Sequence, residues 1–414
     1  MKMIRKLGML ALFFALEAPL LLAQLSPVRH GISAQQKFPF WKKGYMDIHH
    51  INTGEGNCTF IMMPDGTRIL LDAGTVDKKG FEKNNAPLKA IGPRYASTGT
   101  IQDALIEYIE WATGSQRGPV ELDYAIISHF HSDHYGAVMD LLPRLDVKTI
   151  IDRNYPNYDF PFDLRVKLKD DKLFQRYLQL VDSRLYTIQS LQVGRQDQIM
   201  LTKDPKAFPM VHILNIKNNA QVWNPQSNER TELFSARDML DFYKGGYNEN
   251  PLSMALKFRY GKFDYYAGAD NTGLHDDSVP SWFDVETSIA KAVGRVDAMV
   301  LDHHGNRDAN NANLIATLDP KIAIQQVYSS DQPGQEVYYR LRNLGKRKDR
   351  LLFSTNMHDE TLVTYGPWFQ KGYQSFCGHV ILRVFEGGQS YKVYVLDEFN
   401  RTVKWESGLL TADD

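Results

Sequence analysis

Runs of apolar, aromatic and β-branched residues cover Tyr45-Met-Asp-Ile-His-His-Ile51 and Asn57-Cys-Thr-Phe-Ile-Met-Met63, break at Pro64-Asp-Gly-Thr67, and resume over Arg68-Ile-Leu-Leu-Asp72. Such runs on either side of a Pro/Gly turn predict a β-hairpin, here one that ends on an acid. The period then changes. Ile101, Ala104, Leu105, Tyr108 and Ile109 recur at helical spacing and predict a helix over Thr100 to Thr113. Asp123-Tyr-Ala-Ile-Ile-Ser128 reads as a short buried strand, and His134 to Leu142 as the next helix.

Residues 153–245 follow no such order. They hold a Tyr/Pro-rich loop from Arg153 to Phe162, a helical stretch near Lys167 to Leu185 and strands around Val211 to Trp223, and they read as an elaboration inserted over a site. The order resumes with strands Leu252 to Arg259 and Phe263 to Ala267, Asp270, a helix from Val285 to Val293, a strand from Ala298 to Leu301, and the pair His303-His304. Helices alternating with strands predict an α/β protein whose sheets are covered by helices. The segment 367–414 reads as a C-terminal β-hairpin extension, and residues 24–44 as a polar, Pro-punctuated linker or N-terminal arm.

Composition narrows the class. The 414 residues are 43% hydrophobic and 23% charged, ordinary for a folded globular chain. With 48 Lys plus Arg against 49 Asp plus Glu, no basic surplus marks a nucleic-acid partner. The start is different: Lys2, Arg5 and Lys6 precede the apolar run Leu7 to Ala23, which predicts a signal peptide over residues 1–23, export to the periplasm or medium, and no span in the mature chain. The run contains Glu17 and Pro19 and falls short of the roughly 20 apolar residues that cross a bilayer. Two cysteines, Cys58 and Cys377, cannot frame a fold; they form one bridge or are two small buried groups.

The stretch Ser128-His-Phe-His-Ser-Asp-His-Tyr-Gly-Ala137 concentrates three of the 12 histidines and an aspartate in six residues. In extended chain His129 and His131 project to the same side and can aim at one ion about 2.0–2.1 Å away. Asp133 and His134 follow at the turn into a helix and face elsewhere. Ligand-type groups facing two ways point to two ions; the plainer alternative is a polar loop with Asp133 as a helix cap.

This stretch resembles the His-X-His-X-Asp-His motif of the metallo-β-lactamase superfamily. "ILLDAG" (Ile69 to Gly74), "YAGAD" (Tyr266 to Asp270) and "DHHG" (Asp302 to Gly305) resemble that family's further motifs in the same order. The phrasing is most similar to the hydrolase domain of bacterial DNA-uptake proteins and its free-standing relatives. The resemblance implies an αββα four-layer sandwich over about residues 45–366. It also implies two ions, zinc with manganese or iron as alternatives. His129 and His131 would hold one ion, Asp133, His134 and His304 the other, and Asp270 both; Asp72, Asp302 and His303 would support them. His303 is the alternative to His304. Asp133 and Asp270 are the implied catalytic residues, Asp133 orienting a hydroxide and taking its proton. The family's third-motif histidine has no counterpart in Gly246-Tyr-Asn-Glu-Asn-Pro-Leu-Ser253, leaving Asn248, Asn250, His212 or no residue in that place. The implied activity is hydrolysis of an ester, phosphodiester or amide. The rival readings are a degenerate, non-catalytic binding protein and an iron-dependent redox enzyme on the same fold. Nothing in the sequence names the substrate or the oligomeric state.

Overall fold

Side-chain alternation sets the layering. Along Arg68–Ala73, Ile69 and Leu71 join a core that also holds Leu256, Phe258, Tyr265 and Val300, whereas Leu70 joins a second core with Leu105, Ile109 and Val138. Successive strand residues point to opposite faces, so this strand is buried on both. The computed structural model describes residues 36–95, 99–115, 118–274 and 276–413. The expected signal peptide lies outside them.

Two large sheets form. One runs, edge to edge, Val403–Glu406, Ser390–Leu396, His379–Val384, Met46–His50, Cys58–Met62, Arg68–Ala73, Glu121–Ile126, Asp146–Asp152, Thr187–Ser190, with Leu410–Thr411 paired to Ser390–Leu396. The other runs Tyr373–Ser375, Leu351–Ser354, Ile322–Gln325, Ala298–Val300, Phe263–Ala267, Ala255–Tyr260, Val211–Asn218, Gln221–Asn224, Glu229–Glu232. Their inner faces share one apolar core. The helices Ile101–Thr113 and Lys172–Ser183 cover the outer face of the first sheet. Glu286–Val293, Ala312–Leu318 and Gln335–Asn343 cover that of the second. The result is the expected αββα sandwich.

In each sheet one half is antiparallel and the other parallel. The chain leaves the parallel strands Arg68–Ala73 and Glu121–Ile126 of one sheet, and Phe263–Ala267 and Ala298–Val300 of the other, directly before the chemistry-bearing residues. Open α/β sheets bind ligands at such carboxyl ends.

Several elements differ from the sequence expectation. The C-terminal hairpin lies within the first sheet, since His379–Val384 pairs along the whole of Met46–His50. Val211–Asn218, expected in an overlying elaboration, pairs with Ala255–Tyr260 inside the second sheet. The helix expected over His134 to Leu142 is split into Ser132–Tyr135 and Val138–Leu141, with Gly136 between them. A side chain on Gly136 would run into Thr75 and the Ser132 carbonyl. The helix at Ile101 begins where its cap dictates: Thr100 and Asp103 bond reciprocally to each other's backbone N–H. Both cysteines are free thiols, Cys58 buried and Cys377 half-buried. Among the described residues no helix is long and apolar enough to cross a membrane.

Candidate metal centre

At the end of Arg68–Ala73, Ala73 pairs with Cys58 and Leu71 with Thr59, which leaves Asp72 as the extra residue of a β-bulge. Its φ of 60° lies in the left-handed region, and bulges of this kind re-aim a side chain. The Asp72 carboxylate accepts from Ser128 N (2.8 Å) and Ser128 Oγ (2.7 Å) and bonds His134 Nδ1 at 2.8 Å. That last bond leaves His134 Nε2 facing inward. Gly74 and Gly56 let the chain pass close to the backbone of Asp133: a Cβ on either would lie 1.8 or 2.1 Å from the Asp133 carbonyl oxygen.

Opposite, His304 donates Nδ1–H to the Gln326 carbonyl (2.8 Å), so its Nε2 also faces inward. His304 Nε2 lies 3.1 Å from Asp133 Oδ2 and 3.3 Å from His134 Nε2. Asp270 Oδ1 is 3.0 Å from His134 Nε2, and its Oδ2 is 3.5 Å from His304 Nε2 and 3.8 Å from His129 Nε2. Asp72, Ala269, His303 and His304 all hold positive φ. Backbone strain of this kind, about 1–3 kcal/mol per residue, gathers at functional sites.

These side chains form two donor groups, Asp133, His134, Asp270 and His304 in one and His129, His131 and Asp270 in the other, the atoms of each within 4.8 Å of one another. Asp270 belongs to both. His303 belongs to neither: its Nδ1 bonds Asp308 Oδ1 at 2.5 Å and its Nε2 lies 3.0 Å from Asn250 Nδ2. Asp302 turns away from the imidazoles, accepting from the Tyr266 hydroxyl at 3.0 Å. Burial and then the neighbouring Glu286 raise its carboxyl well above the usual range. His212 is exposed on the second sheet opposite Arg259, apart from the group. Asn248 Oδ1 is taken by Asn250 N–H at 2.9 Å.

The donor set fits divalent ions. His129 Nε2 is buried without a hydrogen-bond partner, and buried polar atoms are otherwise nearly always satisfied. Electrostatics agree. Burial lowers His134 and His304, but the Asp270 carboxylate, joined by Asp72 and Asp133 respectively, outweighs it, taking His134 well up and His304 to about 9. His129, where burial dominates, is lowered well below its ordinary value. The carboxylates therefore draw positive charge into a buried cluster. Imidazole and carboxylate donors suit zinc, iron or manganese.

Sequence reasoning missed Ser128, which fixes Asp72, and a buried pair behind the histidine loop. Glu249 accepts Phe130 N–H at 3.0 Å and holds Arg153, itself 0% exposed, through Nε at 2.8 Å and Nη2 at 2.5 Å. It also missed Tyr328, whose ring packs edge-on against His304 at 4.8 Å. Lone Glu, Arg and Tyr residues carry no periodic signal.

Residues 51–198 match the family model described as Metallo-beta-lactamase superfamily. Asp72 and the His129 to His134 stretch lie inside the match, and Asp270 and His304 beyond it. No curated protein matches the chain. Among solved structures it is similar to a mutant of CmlA beta-hydroxylase, at 12% identity, over 77% of this chain and 54% of that one, TM-score 0.39. The chain thus spans about half the length of that hydroxylase. It is also similar to Igni18, a metallo hydrolase from the hyperthermophilic archaeon Ignicoccus hospitalis KIN4/I (13% identity, 68% and 81%, TM-score 0.34). Zinc-bound PqqB from Methylobacterium extorquens is a third (9% identity, 82% and 99%, TM-score 0.38).

Proposed function

We propose that this chain, which carries a metallo-β-lactamase superfamily domain, is an exported hydrolase with a two-ion centre that cleaves an ester, phosphodiester or amide bond. The observation that carries the reading is the double membership of Asp270, one buried carboxylate common to both donor groups. Asp133, His134, Asp270 and His304 would hold one zinc-like ion and His129, His131 and Asp270 the other, and such ions would supply Lewis acidity that makes water a nucleophile near neutral pH.

The chain's own residues do the rest. Asp72 and the Gln326 carbonyl hold the Nδ1 atoms of His134 and His304, which fixes both Nε2 lone pairs toward the centre. Asp270, 1% exposed, spans the two groups and neutralises charge between them. Asp133 keeps 12% of its side chain exposed, against 1% for Asp270 and 3% for Asp72, so it is the carboxylate of the cluster that solvent reaches. Asp133 therefore takes the proton from the attacking water and passes it out. Export rests on Lys2, Arg5, Lys6 and the apolar run to Ala23. The mature chain is expected to begin at Gln24 or within a few residues of it, as N-terminal sequencing would show.

Elemental analysis of protein purified without chelator, paired with a screen of phosphodiester, phosphomonoester, lactone and β-lactam reporters, tests the reading. More than one ion per chain and chelator-sensitive turnover of one reporter class are expected. A metal-free preparation that turns over at full rate would refute it.

A further inference from the structure

Asn250 lies on a segment sewn to every carrier of the His129, His131 and Asp270 group. Glu249 accepts the N–H of Phe130, the residue between the two histidines, at 3.0 Å. Asp270 N–H donates to Ser253 Oγ at 3.3 Å, and Met254 N–H to the Ser128 carbonyl at 3.1 Å. From behind, the buried Lys217 Nζ donates to the carbonyls of Pro251 (2.7 Å) and Ser253 (2.9 Å). The Asn250 side chain is 5% exposed. Its Nδ2 is occupied by His303 Nε2 at 3.0 Å, and that same His303 nitrogen lies 3.8 Å from Asp270 Oδ2. The amide oxygen is left over: Asn250 Oδ1 is buried with no hydrogen-bond partner, as is His129 Nε2. A buried carbonyl oxygen that accepts nothing is rare in a native fold and calls for an electropositive partner.

We propose that Asn250, through Oδ1, is the remaining protein ligand of the ion held by His129, His131 and Asp270. The inference rests on the two-ion reading above. It makes the centre asymmetric. An amide oxygen is a neutral donor poorly matched to zinc beside imidazole and carboxylate, so this position binds its ion more weakly than the one built from Asp133, His134 and His304. His303, held by Asp308, keeps the carboxamide turned so that the oxygen and not the nitrogen faces the ion.

Titration of the chelator-stripped full chain with cobalt(II) chloride, followed by visible absorption and by equilibrium dialysis, separates the two positions without using turnover. The wild type is expected to bind two ions with unequal affinity. Asn250→Ala should weaken the weaker site by at least about tenfold and leave the tighter isotherm in place. Asn250→Asp, of the same shape with a charged donor, should restore or tighten it and alter its absorption bands. Circular dichroism confirms that each variant folds. Two unchanged isotherms in folded Asn250→Ala overturn the inference and leave the two-ion reading standing. A wild type that binds no cobalt overturns both.

Discussion

His379 sits in the first sheet with its imidazole sealed between two backbone groups. Asn52 N–H donates to Nδ1 at 3.0 Å, and Nε2–H donates to the Glu398 carbonyl at 3.2 Å. Acceptance at Nδ1 requires the neutral ring, and burial lowers its pKa from 6.5 to about 4. The folded state thus resists a proton that the unfolded chain accepts. Between about pH 6.5 and 4 the unfolded state binds more protons, so stability is complete above 6.5 and is lost as pH falls through 4. The displacement is worth about 3 kcal/mol below both values, and about 2 kcal/mol of it is gone by pH 5. That is a large share of a typical stability of about 5–15 kcal/mol. In His379→Asn the side-chain oxygen can still accept from Asn52, but nothing titrates. The variant is expected to be less stable at pH 7.5 by about 1–2 kcal/mol for the lost bond and volume. Between pH 7.5 and 5.0 it should lose about 2 kcal/mol less than the wild type. Urea denaturation of both proteins at both pH values, with chelator throughout so that ion binding does not enter, measures the difference. An identical pH dependence in the two proteins would show that this imidazole is not held neutral, and the reasoning would fail.

Asp270→Asn keeps the shape of the shared carboxylate and removes its charge; loss of at least one ion per chain and of nearly all turnover is expected, read by elemental analysis and rate. Gly74→Ala places a methyl 1.8 Å from the Asp133 carbonyl oxygen, so the backbone of the histidine loop must move; the ion held with His134 and His304 should bind at least about tenfold more weakly by the same titration. Arg153→Met strands the buried Glu249 carboxylate and should cost about 3–5 kcal/mol in urea denaturation. Within the His303-His304 pair, His304→Ala should lose the ion it shares with Asp133 and His134, whereas His303→Ala should have the milder effect, confined to the position Asn250 faces, since only His304 joins a donor group.

What the sequence determined by itself was local. Strand alternation decided which residues of Arg68–Ala73 face the shared core and which face the helices, because period two is a property of extended chain and needs no partner. The Thr100/Asp103 cap placed a helix start for the same reason. The close packing of ligand-type residues from His129 to His134 was also visible, as was the order of the motifs around it. Tertiary structure decided how those residues are shared. Asp133 meets His304 across 171 positions, and Glu249 reaches Phe130 across 119. Asn250 became a buried acceptor only because the segment around it is stitched to three distant elements. Nothing in the sequence links Glu249 to Arg153; burial makes each the other's necessary partner. The C-terminal hairpin looked like an appendage because each of its strands alternates normally whether or not it has neighbours; pairing of His379–Val384 with Met46–His50 is a long-range choice, made by complementary apolar faces and register. Periodicity says which side of an element is apolar, and only the folded chain says what lies against it.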